Sequence, residues 1–396
     1  MANTLGAYDP IFYASEALNI IMNMYGMIQR VNHSYDRERK ANKLGQYVNI
    51  KRPGSFVTQA GGTGTLDDID SETIQVRLNN WREVKFGVTD QDYAYSGQAL
   101  IDDHIAPAAY ELGKYVNTQL ALLAKDIPWF SPWTGTIVAS DVTSGMKVLK
   151  DAGGSISADV ANIHMGLDTT VDAALQGLSE FNAANIAGNT NTALVDGKNP
   201  GRFGVGDFFL DQTFDSFTSG TVVSNGTDLL GALSANVAKL ATSMPLDSLA
   251  AGTETIAKGD TFIVAGSAQR YAVTELATIG TNAVTVSISP PAQIAYTSGD
   301  AVTFETKATA YADAYEPNLL FHRDAFALVM GQLPDAAIEG LGVQVATAVD
   351  PISGMSVRAR KAYLDSSATV AVTLDLLFGG KTLNPNYAVV MRRNTP

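Results

Sequence analysis

Cysteine is absent from the 396-residue chain, which removes disulfides, thiolate metal sites and cysteine nucleophiles together. Histidine is scarce. His33, His104, His164 and His322 include no pair at the His-x-x-x-His spacing that sets two imidazoles on one helix face. Positive charge is also short, with 27 Lys and Arg against 40 Asp and Glu, a formal charge of −13 and a pI near 4.7. Nucleic-acid affinity comes mostly from cations neutralising phosphates, so this balance argues against a general polyanion binder. Charged residues make up 17% and hydrophobic ones 46%, too apolar a balance for a disordered chain. No run approaches the roughly 20 apolar residues of a membrane helix. The first ten residues hold neither Lys nor Arg, so no secretory signal is expected and the protein reads as soluble and cytoplasmic.

What is present is turn chemistry and alternating pattern. At roughly 100–200 residues per domain the length allows two or three domains, and 35 glycines with 14 prolines supply many turns. Ala17, Ile21, Met24, Ile28 and Val31 make one apolar helical face over 15–31. That face needs a partner, on its own domain, another domain or another subunit. A strand Gln46–Ile50 and a returning one, Thr73–Thr89, form a long two-stranded excursion whose tip holds Gly61, Gly62 and Gly64. Asp67, Asp68, Asp70 and Glu72 follow that tip instead of the Gly-Lys-Ser/Thr of a phosphate loop, so it reads as a hairpin end. Pro107 predicts a helix start, with a short turn over Ala99–Ile105 before it and a long helix to Ile127.

Strand and helix then alternate. Ser140 is expected to cap a helix bearing Val142, Met146 and Leu149, and Asp168 a second bearing Val171 and Leu175, with a strand Val160–Met165 between them. Residues 182–199 show no regular pattern, and a strand follows at Phe208–Leu210. From Phe217 the composition turns to Ser, Thr, Gly and Val, with strands expected at Thr261–Ala265, Arg270–Leu276, Ala283–Ile288 and Ala301–Thr306. Their spacing predicts a small antiparallel barrel or sandwich inserted in an α/β core. Beyond it, Asn318–Phe321 reads as a strand, Arg323–Met330 as a helix, and Val343–Ala348, Ser356–Ala362, Ala368–Phe378 and Ala388–Arg392 as strands. Residues 131–321 hold 8 basic and 19 acidic side chains, so the acidity is central.

No catalytic constellation emerges. Asp102, Asp103 and His104 are adjacent, and consecutive helical residues point about 100° apart, so they suit a helix N-terminus better than chelation. Gly201–Asp207 matches a dinucleotide fingerprint only loosely and precedes a strand where a helix is needed. Asn225-Gly226-Thr227 reads as a turn. No catalytic, cofactor-binding or metal-binding residues are assigned, no cofactor is expected, and the chain does not read as an enzyme.

The order of parts resembles the tailed-phage major capsid (coat) proteins, closest to those of short-tailed phages with an inserted β domain. Asn3-Thr4-Leu5 with the helix Ala14–Val31 is similar to that family's N-terminal arm, and Gly45–Pro53 to the strand opening its extended loop. His104–Ala109 resembles the start of its spine helix, and Gly259-Asp260-Thr261-Phe262 a turn and strand of the inserted domain. Glu316–Phe321 with Ala325, Phe326, Leu333 and Pro334 resembles the re-entry into the core, and Ser356–Ala359 and Asp375–Gly379 the closing strands.

The resemblance implies an α+β chain with the tailed-phage major capsid fold and an antiparallel β-barrel-like insertion. Its parts would be an N-terminal arm helix (1–35), extended loop and peripheral-domain strands (36–95), spine helix (96–130), axial domain (131–216), inserted β domain (217–308), axial return (309–350) and peripheral closing strands (351–396). It further implies hexamers and pentamers of an icosahedral procapsid, with a scaffolding protein, a portal protein and weakly held double-stranded DNA as partners. The same resemblance implies no membrane partner and a location in the virion capsid, after assembly in the bacterial host cytoplasm. Two other readings remain open, an encapsulin-like bacterial compartment shell and a carbohydrate-active enzyme with a β binding module. The latter would call on an acid such as Asp92 or Asp260.

Overall fold

The computed structural model describes residues 10–24, 26–34, 47–52, 72–96, 99–153, 159–179, 203–214, 216–225, 230–249, 254–305, 314–315, 317–334, 343–350 and 354–394. The chain divides into two units, one of Met1–Met24, Asn32–Val116 and Ala327–Leu383, the other of Tyr25–Val31, Asn117–Phe326 and Asn384–Pro396. Among the described residues no helix is long and apolar enough to cross a membrane.

In the first unit the strand Thr369–Thr382 is the spine of a five-stranded sheet, flanked by Phe326–Gly331, Ser356–Leu364 and Asn80–Thr89, with Val343–Val349 beyond Ser356–Leu364. Its pairing with Asn80–Thr89 runs from Thr369 opposite Thr89 to Phe378 opposite Asn80. The helix Pro10–Met24 lies along Val343–Val349 and Ser356–Leu364 and buries Tyr13, Ala14, Ala17, Leu18 and Ile21. The apolar face therefore finds its partner within its own unit. It is also shorter than expected, because the helix ends at Met24 and a separate turn, Gly26–Arg30, follows.

The hairpin arms are Tyr47–Arg52 and Glu72–Arg77, with Tyr47 opposite Arg77 and Arg52 opposite Glu72. Val48, Ile50, Val76 and Leu78 join Ala327, Val329 and Leu383 in one buried cluster, so the base of the ribbon lies against its own unit. The expected tip, with Gly61, Gly62 and Gly64, lies outside the described residues. The expected returning strand is two strands, Glu72–Arg77 and Asn80–Thr89. The strand expected to finish at Phe378 runs on through Gly379 and Gly380, as Thr369–Thr382. A Cβ on Gly379 would fall on the carbonyl oxygen of Arg77, so glycine lets the two backbones approach.

The long helix is continuous from Ala99 to Ala121 with Pro107 inside it, followed by a 3₁₀ turn Leu122–Asp126. Pro107 thus does not start the helix: a proline deprives the ladder of one hydrogen bond, and here its ring lies on the exposed side. Ala109, Leu112, Val116 and Leu120 make the buried face. Residues through Val116 belong to the first unit and those from Asn117 to the second.

The second unit is built on a five-stranded sheet in the order Phe130–Thr134, Ala388–Asn394, Asn318–His322, Ile163–Leu167, Asp207–Leu210. The outer pairs are parallel and the inner ones antiparallel. The helices Ala139–Gly153 and Thr169–Gln176 bury Met146, Leu149, Val171 and Leu175 in a core with Leu320, Val389 and Met391. Asp168 caps the second helix through the Thr170 N–H at 3.1 Å, as expected. Ser140 does not cap the first; the Asp141 carboxylate instead accepts the Val138 N–H at 2.9 Å. The strand expected at Val160–Met165 begins at Ile163, after a 3₁₀ turn Val160–Asn162. Arg323–Met330 is not a helix but a 3₁₀ turn, Arg323–Ala325, and a fully buried strand, Phe326–Gly331.

Between the sheet strands Asp207–Leu210 and Asn318–His322 the chain forms a closed six-stranded barrel. Its strands are Leu230–Leu233, Ser243–Asp247, Thr261–Val264, Arg270–Val273, Val284–Ser289 and Ala301–Phe304. The first two were not expected, because Leu-Gly-Ala-Leu and Ser-Met-Pro-Leu-Asp lack β-branched residues and carry a glycine and a proline. Phe262, Phe304, Tyr271, Met244, Leu246 and Val286 fill the interior. The Tyr271 and Tyr296 hydroxyls hydrogen-bond at 2.7 Å inside it.

Candidate functional site at the root of the barrel

The barrel hangs on a neck in which Phe217 pairs with Tyr315 and Thr218 with Ala314. Next to that neck the turn Lys258-Gly259-Asp260 leads into the barrel's third strand, Thr261–Val264. Asp260 is fully buried. Its Oδ2 accepts the Gly220 N–H at 3.0 Å and the Ala257 N–H at 2.7 Å. Burial pushes its carboxyl up to about 6, against the pull of these two N–H groups and of the Arg392 guanidinium. Gly259 sits at φ +97°, and a Cβ there would come 2.7 Å from the Phe217 ring. Only glycine combines that backbone with that approach. Lys258 Nζ reaches Asp126 Oδ1, in the 3₁₀ turn after the long helix, at 3.0 Å.

A second group of contacts lies on the strand Arg270–Val273. The Arg270 guanidinium lies 4.7 Å from the centre of the Phe130 ring and 5.6 Å from that of Trp129. Arg270 also pairs with Glu305 at 2.9 Å, and Glu305 accepts the Thr261 hydroxyl at 2.8 Å. Burial raises the Glu305 carboxyl, while Arg270 and Thr261 work against it. From the core strand Ala388–Asn394, buried Arg392 covers the other side of the joint, 4.7 Å from the Phe130 centroid and 5.9 Å from that of Phe217. Asn386 Oδ1 accepts from Trp129 Nε1 at 2.9 Å and from Gln269 Nε2 at 3.3 Å. Core and barrel thus share one acceptor. The arrangement fixes bodies together by charge, stacking and hydrogen bonds.

The residues singled out by sequence are scattered. Asp92 and Thr89 cap the helix Asp90–Ser96 reciprocally, the hydroxyl donating to the carboxylate at 2.7 Å and accepting the Asp92 N–H at 3.2 Å. His104 meets the Phe86 ring edge-on at 6.1 Å. Asp102 and Asp103 fall in the first turns of the helix beginning at Ala99. His33 is buried. His164 packs 5.9 Å from the Phe321 ring, and burial, helped by Arg30, depresses its imidazole to about 4. His322 Nδ1 accepts the Asp324 N–H at 3.2 Å, leaving Nε2 toward Asp159 at 3.4 Å. Asp207 pairs with Arg30 from a strand; Gly201 and Arg202 lie outside the described residues, as do the 182–199 segment and Gly226-Thr227. Among the described residues no group of three or more His, Asp or Glu is placed to hold a metal ion. Of the joint, sequence reading marked only the Gly259-Asp260 turn. Lys258, Arg270, Asn386 and Arg392 carry no local pattern, and their partners are remote in sequence.

No family model matches the chain, and no curated protein matches it. Solved structures similar to it include one from Mycobacterium phage Che8, at 12% identity and TM-score 0.49, covering 93% of this chain and 91% of that one. The capsid structure of the cyanophage P-SCSP1u is similar at 11% identity and TM-score 0.44, over 89% and 85%. The mature capsid of bacteriophage PhiM1 is similar at 10% identity and TM-score 0.45, over 88% and 82%.

Proposed function

We propose that this chain is the major capsid protein of a tailed double-stranded DNA bacteriophage, self-assembling into the hexamers and pentamers of an icosahedral shell. The observation that carries the reading is architectural. A closed barrel is threaded into a core sheet whose strands come from both sides of it, Phe130–Thr134, Ile163–Leu167 and Asp207–Leu210 before, Asn318–His322 and Ala388–Asn394 after. An N-terminal helix, a two-stranded ribbon and a long helix precede it, in the order that the sequence segments resemble.

In this reading 1–35 is the arm, 36–95 the extended loop with peripheral strands, 96–130 the spine, 131–216 and 309–350 the axial domain, 217–308 the insertion and 351–396 the closing strands. A scaffolding protein, a portal and packaged DNA are the partners. The excess of acid over base fits a container that releases its nucleic acid, since few cations are available to hold phosphates. The role is structural: Asp92 caps a helix and Asp260 holds a buried turn. The test is electron microscopy of the purified chain, alone and co-expressed with its scaffolding partner. Closed, uniform particles are expected; monomers under every such condition would overturn the proposal.

A further inference from the structure

The contacts at the barrel root share a property that packing alone does not require. Lys258 meets Asp126, Arg270 lies on Phe130 and Trp129, and Gln269 shares Asn386 with Trp129. Each joins a polar or charged barrel side chain to the core. The barrel closes on itself, with every wall strand paired on both edges by another wall strand. Its interior holds Phe262, Tyr271, Phe304 and Val286, none of which takes part in these contacts. A closed sheet leaves no unpaired edge for the core to satisfy.

We propose that the Lys258–Asp260 turn, together with Arg270, is a charge-dependent latch that seats the barrel on the core sheet and lets it be released as an intact body. The inference stands on contacts within one chain and does not rest on shell assembly. The groups facing Asp260 and its turn are Arg392 from the last core strand, Asp126 and Lys125 from the 3₁₀ turn, Lys258 beside it, and Arg270 with Glu305 on the barrel. Release would bring Asp260 into water, where an aspartate titrates near 3.9.

The seated carboxyl sits at about 6, so the seated state binds the proton more tightly, and seating strengthens as pH falls through 6. Those two values favour the seated state by about tenfold at pH 5 over pH 7.5. Glu305 shifts in the same direction.

Hydrogen exchange of the full chain, read by mass spectrometry, tests this. The segments Phe217–Thr221 and Ala257–Asp260 report the latch; Ser243–Asp247 and Val284–Ser289 report the barrel wall. In the double variant Lys258→Met/Arg270→Met, which keeps the aliphatic stems, the latch segments are expected to exchange at least about tenfold faster while the wall keeps its protection. Unchanged latch segments, or latch and wall loosening together, would overturn the proposal. Without any charge removed, latch exchange of the native chain, corrected for intrinsic rates, should be slower at pH 5 than at pH 7.5, and Asp260→Asn should shrink that difference to the part that Glu305 supplies. A native latch insensitive to pH, or a slope undiminished in Asp260→Asn, counts equally against it.

Discussion

Arg358 and Asp375 face each other from adjacent strands of the first unit, 4% and 0% exposed, with Nε to Oδ1 at 2.9 Å and Nη2 to Oδ2 at 2.6 Å. The fork is a parallel pair of charge-assisted bonds. Arg358 Nη1 also donates to the Pro334 carbonyl at 2.9 Å, and Arg360 reaches both Asp375, at 3.0 Å, and Glu83, at 2.6 Å. A buried pair of this kind is costly to break from one side, because the remaining charge keeps its desolvation without its partner. Asp375→Leu is therefore expected to lower unfolding free energy by about 3–5 kcal/mol in urea titration. Adding Arg358→Met should recover most of that loss, since two apolar side chains leave no stranded charge. A double variant as unstable as the single would refute the pairing account. Both segments stand out in the sequence but the pair does not, as charges 17 residues apart carry no mark of facing each other.

At the scale of elements, local chemistry was a sound guide where one pattern had one solution. Asp168 caps as its position demanded, and the alternation in Val284–Ser289 and Ala301–Phe304 became barrel wall. A pattern shared by two structures does not choose between them. Phe-Ala-Leu-Val-Met is continuously apolar, and such a run carries no period to separate a buried helix from a buried strand; pairing with Thr369–Thr382 decided for strand. Pro107 misled in the opposite way, because a burial stripe through Ala109, Leu112 and Val116 holds the helix across a missing hydrogen bond. The barrel gives the sharpest expectation at this scale. A fragment of residues 217–308 should melt in one cooperative transition by circular dichroism, because its six strands close without outside help. A fragment with no transition would mean that its closure needs the core.

For the whole molecule, the proposed role makes the ribbon the part to remove. Its arms pair over Tyr47–Arg52 and Glu72–Arg77 and are anchored through Val48, Ile50 and Val76. Deleting residues 58–71 spares both arms, so the chain should stay soluble and keep its melting temperature, while particle yield by electron microscopy should fall sharply. Particles in normal yield would remove the ribbon from subunit contact. A drop in melting temperature would place its role in the fold of the monomer.

By itself the sequence determined what depends on neighbours in the chain or on bulk composition. It ruled out thiol and disulfide chemistry through the missing cysteine, limited cationic grip through its acidic balance, and placed several turns, the Asp168 cap and the alternating strands. Tertiary structure decided what depends on residues meeting from far apart. It set the strand order of the two sheets, closed the barrel through Leu230–Leu233 and Ser243–Asp247, and brought Lys258 to Asp126 and Arg270 to Phe130. The reason is range: periodicity and capping act over a few residues, whereas burial and ion pairing are settled only when the fold removes both partners from water.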